Sequence, residues 1–326
     1  MTIKRSVSVV LPNYNGKNLL AKNLPSVYTA LRTVDIEFEV IVADDASTDD
    51  SVSFLKQSFD QVKVVIQEKN RGFSPTINKG IALASKQLVL LLNTDVFLLP
   101  DYFENLFPYF NLPDTFGVCG RFIGANDENI QEAGKYPLLS SSKKIQPFNF
   151  YVESPSGLVP TLFVPGGGAL VNREKLNILA GFDEIYAPFY YEDMDLSTRA
   201  WRLGWKSYYE HAAVCRHSAS TTINKYHKRR AVWITTQRNK LIFHSLHLGW
   251  QSKWLWYSRQ TITLIVQAIA FRWKYHIAFF KYLGKRSAIK KSRQKLLSIS
   301  TTPLLPLEKV VSNMVSQLKS HRIIKL

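Results

Sequence analysis

The sequence predicts an α/β fold: a mostly parallel sheet with helices on both faces, followed by a basic, helical C-terminal extension. Three observations carry this. Short apolar, β-rich runs alternate with helix-period segments over residues 6–95. Three of those runs end in polar clusters, as ligand-binding strand ends do in open α/β sheets. The excess of positive charge lies wholly in the last third.

The elements follow in order. Residues 6–11 read as a strand, and residues 17–34 as a helix with Leu20, Leu24, Val27 and Leu31 on one face. A buried strand at 39–43 runs into Asp44-Asp45, a helix occupies 51–59 and a strand 62–66. Ser74 as N-cap and Pro75 at the first helical position open a helix to about residue 85. A strand at 88–92 ends at Asn93-Thr94-Asp95. Residues 124–160, rich in Gly, Ser, Pro and Asn, read as a variable surface excursion. An apolar run enters Gly166-Gly167-Gly168, a short helix follows, and Glu192-Asp193-Met194-Asp195 opens another. Beyond about residue 222 the pattern is helical, interrupted at Gly249, Gly284, Pro303 and Pro306.

The chain has 326 residues and a net charge of +17, with 46% hydrophobic and 21% charged residues, which excludes wholesale disorder. Two cysteines, Cys119 and Cys215, exclude a disulfide scaffold or a four-cysteine zinc site and read as core residues. No run approaches the roughly 20 apolar residues of a spanning helix. The apolar run at 7–11 is too short for a secretory signal. Residues 1–215 carry a net charge of −4 and residues 216–326 a net of +21, with Glu308 the sole acid and five of the seven Trp in that last part. A basic segment studded with aromatic rings suits an anionic membrane surface, where each Lys or Arg contributes about 1 kcal/mol. The same composition could meet a nucleic-acid backbone or form a solvated helical face.

Several polar groups have two readings. Asp44-Asp45 could bind a base and ribose, or cap a turn and helix start. Asn93 and Asp95 could bring oxygen ligands to Mg²⁺ or Mn²⁺ on a diphosphate, or form a polar turn. Glu192 and Asp193 could supply a general base, or complement a helix dipole, and Asp195 can pair with Arg199 at i,i+4. His217 could be a ligand or a structural histidine. No P-loop or Gly-x-Gly-x-x-Gly fingerprint is present.

Taken in register, these segments resemble the family 2 inverting glycosyltransferases with a GT-A fold, over roughly residues 5–220. The resemblance runs through Val9-Val10-Leu11-Pro12-Asn13-Tyr14-Asn15, Val42-Ala43-Asp44-Asp45-Ala46-Ser47-Thr48-Asp49, Asn70-Arg71-Gly72-Phe73 with Asn78-Lys79-Gly80, and Leu91-Leu92-Asn93-Thr94-Asp95. It continues in Gly166-Gly167-Gly168-Ala169-Leu170 and in Gly181-Phe182-Asp183-Glu184 leading to Tyr191-Glu192-Asp193-Met194-Asp195-Leu196. The later segments look most like the bacterial rhamnosyltransferase-like branch.

The resemblance implies a catalytic domain at 1–220 and an extension at 221–326. It implies a donor pocket of Pro12, Asn13, Tyr14, Asp44, Asp45, Arg71, Asn78, Asn93 and Asp95, with Asp45 facing the base. Asp95 takes the last position of the family's Asp-x-Asp motif, whose first position is here Asn93. With His217, Asp95 would hold Mn²⁺ or Mg²⁺. Gly166, Gly167 and Gly168 would border the donor sugar and acceptor, and Asp193 would be the base, with Glu192 beside it or in its stead. The expected donor is a nucleotide-diphosphate sugar, dTDP-rhamnose ahead of a UDP-hexose. The expected acceptor is a saccharide, lipid-linked and destined for surface polysaccharide. The expected location is cytoplasmic, peripheral on the inner face of the plasma membrane, with no nucleic acid bound; the tail could instead pair protomers. A nucleotidyltransferase of the same fold would carry a Gly-rich basic loop that 12–16 does not resemble, and a silent scaffold would not need Asp45, Asp95 and Asp193 together.

Overall fold

The computed structural model describes residues 5–141, 144–153, 157–218, 226–300 and 302–326. The expected domain boundary at 220/221 and the expected helix start near 222 lie outside the described residues.

The N-terminal half alternates as its periodicity predicts. Strands β1 (Ser6–Asn13), β2 (Glu37–Asp44), β3 (Lys63–Ile66) and β4 (Leu88–Leu92) pair in parallel in the order β4-β1-β2-β3. All five residues of β4 are buried because both sheet faces are covered. Leu88, Leu90 and Leu92 enter one apolar cluster, with Leu20, Leu24 and Leu31 of helix α1 (Lys17–Thr33). Val89 and Leu91 enter the other, with Ile77 and Ile81 of α3 (Phe73–Ile81); α2 (Ser51–Ser58) separates β2 from β3. Each fully buried Leu or Val stabilises by about 1.5–3 kcal/mol.

Helix α3 begins and ends earlier than Ser74 and residue 85 predict. Gly72 precedes it with φ +86°, a left-handed turn in which a Cβ would sit 2.6 Å from the Pro188 Cα. That turn, and not a Ser74 cap, starts the helix.

The second half widens the sheet. It adds β5 (Val96–Leu98), β6 (Thr115–Gly124), β7 (Ile130–Glu132), β10 (Val159–Pro160), β11 (Gly168–Asn172) and β12 (Lys206–His217), in the overall order β10-β12-β6-β11-β4-β1-β2-β3. Here β11 runs antiparallel to both β4 and β6, so the sheet is mixed beyond its parallel half. Helices α4 (Arg173–Ile178) and α5 (Glu192–Arg202) fall between β11 and β12.

Residues 124–160 correct the expectation of a surface excursion. Strands β8 (Gly134–Leu139) and β9 (Ile145–Tyr151) form a second sheet, and Ile145, Phe150 and Val152 are buried in the main core. Their composition hid a half-buried hairpin whose register is set by a few apolar residues.

The C-terminal region folds as α6 (Arg229–His247), α7 (Trp250–Ile269), α8 (Lys274–Leu283), α9 (Arg286–Ile299) and α10 (Leu307–Leu318). Gly249 and Gly284 sit at helix boundaries as expected, whereas the break at 270–273 has no Gly or Pro to announce it. A last strand, β13 (Ile324–Lys325), pairs with β9. Leu241, Phe243, Trp256, Tyr282 and Val310 share one apolar cluster with Leu91 and Ala169 of the sheet, so a continuous core joins the two regions.

Candidate active site

A cavity of about 510 Å³ opens at the carboxyl ends of β1, β2 and β4. That volume suits a nucleotide-sized ligand. Pro12, Asn13, Tyr14, Asp45, Asn93 and Asp95 line it together with Gly166, Gly167, Glu192 and Asp193.

Asp45 follows β2 and accepts from the backbone amides of Arg71 (2.8 Å) and Gly72 (2.9 Å). Burial raises its pKa, and these amides offset that only in part. Each carboxylate oxygen keeps a second lone pair for a ligand donor. Asp44 points elsewhere. Its carboxylate accepts from Asn13 Nδ2 (2.8 Å), Ser47 N (2.8 Å) and Ser47 Oγ (2.6 Å), closing the turn after the strand.

Asp44, Arg71, Asn78 and Gly168 do not line the cavity. The Arg71 guanidinium pairs with Glu184 at 3.0 Å on the surface. The Asn78 amide grips the Phe182 backbone, donating to its carbonyl (2.8 Å) and accepting from its amide (2.9 Å). Gly168 begins β11, where the Phe122 ring leaves no room for a Cβ. These four hold the walls instead of facing the cavity.

Sheet register brings the remaining groups together. β11 pairs with β4 so that Gly168 faces Leu92, which sets Gly167 against Asn93; the Asn93 amide donates to the Gly167 carbonyl at 3.2 Å. A Cβ on Gly167 would sit 2.4 Å from the Asn93 side-chain amide, which would have to move to admit it. β5 pairs with β12 so that His217 faces Val96, beside Asp95. His217 Nε2 then lies 3.6 Å from Asp95 Oδ1, with both side chains largely buried. Burial alone would lower the His217 pKa, but the Asp95 carboxylate and Glu132 outweigh it and the net direction is upward.

A separation of 3.6 Å exceeds a hydrogen bond. A carboxylate oxygen and an imidazole nitrogen facing each other at that spacing fit a divalent cation such as Mn²⁺. His217 Nδ1 is buried with no hydrogen-bond partner among the described residues. Among the described residues no group of three or more His, Cys, Asp or Glu converges on a metal site. A cation here would need ligands beyond these two side chains.

Helix α5, which also borders the cavity, starts with Glu192 and Asp193. Tyr190 (φ +71°) and Tyr191 (φ +78°) precede them in the left-handed region, strain of about 1–3 kcal/mol each. The C-terminal region holds that strain in place. Asn239 of α6, fully buried, donates from its side-chain amide to the carbonyls of Tyr186 (2.6 Å), Phe189 (2.9 Å) and Tyr190 (2.8 Å). Arg238 adds a bond to the Ala187 carbonyl at 2.7 Å.

Burial raises both acids. Glu192 goes up to about 8, with Asp193 beside it adding to the rise. Asp193 goes to about 6, held down in part by the Met194 amide and Lys135. Both shifts are upward and the two acids interact, so their protons belong to the pair, which holds them more tightly than free carboxyls do. Asp195 faces away from the cavity, in the expected pair with Arg199 at 2.7 Å.

Sequence reasoning missed Glu132, whose segment read as surface, and the 188–190 loop, which both line the cavity. The loop's only sequence signal was its position just before Glu192, and Glu132 carried none. Cys119 and Cys215 are buried free thiols in the core, as expected.

Sequence and structure define a glycosyltransferase type of domain, and comparison with known proteins gives its family. Residues 8–179 match the model of glycosyl transferase family 2, and the chain belongs to that family. It is 26% identical over 221 residues to the O-antigen chain rhamnosyltransferase RfbN of Salmonella typhimurium, covering 66% of this chain and 67% of that one. It is 23% identical over 292 residues to the N-acetylglucosaminyl-diphospho-decaprenol L-rhamnosyltransferase of Mycobacterium tuberculosis, covering 80% and 87%. A shorter stretch, 29% identical over 133 residues, spans 40% of the length of a Nostoc sp. glycosyltransferase. The fold is shared with the crystal structure of GalNAc-T7 with UDP, GalNAc and Mn²⁺, at a TM-score of 0.69, 15% identity and coverage of 98% of this chain and 58% of that one.

Proposed function

We propose that the chain transfers a sugar, with inversion, from a nucleotide-diphosphate donor to a saccharide hydroxyl. The observation that carries this reading is that Glu192 and Asp193 line the same cavity as Asp45 and Asp95. The donor's base would meet Asp45 and its diphosphate would lie toward Asp95 and His217.

Asp193 takes the acceptor hydroxyl proton as that oxygen attacks the anomeric carbon. The bond from that carbon to the diphosphate breaks, the diphosphate leaves with the electron pair, and the configuration inverts in one displacement. Glu192, protonated, donates a hydrogen bond beside the base. A divalent cation held by Asp95 and His217 would supply positive charge for the departing diphosphate.

Rhamnose from dTDP-rhamnose is the preferred donor because two relatives are named as rhamnosyltransferases. The diphospho-decaprenol in the Mycobacterium tuberculosis relative's name supports a lipid-linked acceptor, and the O-antigen chain in the Salmonella relative's name supports surface polysaccharide synthesis. The enzyme would then work at the inner face of the plasma membrane. A UDP-hexose is the second reading, favoured by the UDP in the GalNAc-T7 structure.

The test is transfer of radiolabelled sugar from dTDP-rhamnose or UDP-hexoses into the lipid extract of bacterial membranes. Transfer from dTDP-rhamnose that Asp193→Asn abolishes is expected. Transfer from a UDP-hexose alone would replace the donor, and hydrolysis without transfer would overturn the transferase reading.

A further inference from the structure

Helix α7 is inside out for a water-facing helix. Trp254, Leu255, Ile262, Ile265, Val266 and Ile269 lie on its exposed side, Ile269 being 73% exposed. Only Trp256 is fully buried in the helix. Positions 255, 262, 265, 266 and 269 follow the three-and-four spacing of one stripe, which a surface helix ordinarily turns to the core. Beyond the helix end, Phe271 (81% exposed), Trp273 and Phe280 of α8 are exposed as well. Exposed apolar surface this extensive marks an interaction site.

The charge around the stripe says what covers it. Exposed Arg259 lies on α7, exposed Arg272 and Lys274 lie at the turn into α8, and exposed Lys281 lies on α8 itself. No acid occurs from residue 216 to the C-terminus except Glu308, which lies on α10. Exposed apolar side chains, exposed tryptophans and neighbouring exposed cations together match the interface of an anionic bilayer. No helix among the described residues is long and apolar enough to cross a membrane. We infer that the outward face of α7, with the 271–273 turn and Phe280, lies in the plane of an anionic lipid surface and inserts its apolar side chains to headgroup depth. A protein partner or a second copy of the chain would cover the apolar stripe without needing the unopposed cations.

The experiment is flotation of the full chain with vesicles of phosphatidylcholine, with and without 30% phosphatidylglycerol, at low and high salt. Ile262→Ser/Ile269→Ser/Phe271→Ser is compared with the wild type, along with a second variant, Arg272→Gln/Lys274→Gln/Lys281→Gln. Melting temperature and nucleoside-diphosphate binding report on fold and donor cavity separately from lipid binding. The wild type should float with anionic vesicles. The serine variant should bind at least tenfold more weakly with an unchanged melting temperature, and the glutamine variant should lose the preference for anionic lipid. Wild-type protein that stays unbound, or a serine variant that floats equally well, overturns the inference. So does a wild-type dimer that the serine variant dissolves without any vesicle binding, which would assign the stripe to a second copy. None of these readouts depends on sugar transfer.

Discussion

His247 Nε2 lies 2.8 Å from Asp195 Oδ1, both side chains fully buried, and this bond ties α6 to the helix that begins with Glu192 and Asp193. Asp195 also accepts from Arg199 Nε (2.7 Å) and the Tyr186 hydroxyl (3.0 Å). Burial would raise its pKa, but Arg199 and His247 overcome this and hold it below the usual carboxylate value. The ionised carboxylate accepts, so neutral His247 donates from Nε2, its pKa lowered chiefly by burial. Asp195→Ala strands the buried Arg199 guanidinium and should cost about 3–5 kcal/mol. Urea denaturation measures it; a loss below 1 kcal/mol would contradict this structural role.

Asn239→Leu tests whether α6 holds the strained 190–191 backbone. The substitution removes one buried amide's bonds to three carbonyls, and about 2–3 kcal/mol of stability should go with them. Turnover should fall on the order of tenfold or more through misplacement of the acids, while donor affinity stays near wild type. Denaturation and steady-state kinetics separate the two effects.

Acid should weaken the fold before carboxylates protonate. His244 is fully buried; its Nδ1–H donates to the Lys240 carbonyl (2.7 Å) and its Nε2 accepts from the Ile145 amide (3.1 Å). Burial lowers its pKa to about 3. The unfolded chain, with a histidine pKa of about 6.5, binds the proton first, so stability is full above about 6.5 and is lost as pH falls toward 3. Denaturation midpoints from pH 7.5 to 4.5 should fall for wild type and fall less steeply for His244→Gln.

Asp193→Asn should reduce transfer by about 10²–10⁴-fold with nucleotide affinity retained. In the wild type, kcat/KM should rise as the pair loses its first proton near 6, the value to which burial raises Asp193. Loss of the second, near 8 for Glu192, should remove its hydrogen-bond donor and bring the rate down again. Glu192→Gln should abolish that upper limb, since an amide cannot titrate. A pH–rate profile with no change between 5 and 9 would contradict these roles.

Legibility from sequence was uneven, for physical reasons. Strands such as β4 were plain because a run buried on both faces contains nothing but apolar residues. Asp95 and His217 were each visible as polar residues, but their meeting depends on β5–β12 register, 122 positions apart in the chain. Asp44 and Asp45 look alike in sequence, and only their opposite directions at the strand end separate a turn closure from a cavity wall. The contribution of Asn239 was invisible because a single buried amide in a helix leaves no periodic or motif signal.

The most direct measurement is calorimetric titration of the protein with dTDP, UDP and GDP, each with Mn²⁺ or with EDTA, alongside Asp45→Ala and Asp95→Ala. Binding of one diphosphate that weakens with EDTA and with either substitution is the predicted result. At 100 times its dissociation constant that ligand should also stabilise the fold by about 2.7 kcal/mol. Failure of all three nucleotides to bind with Mn²⁺ present would contradict a donor site in this cavity.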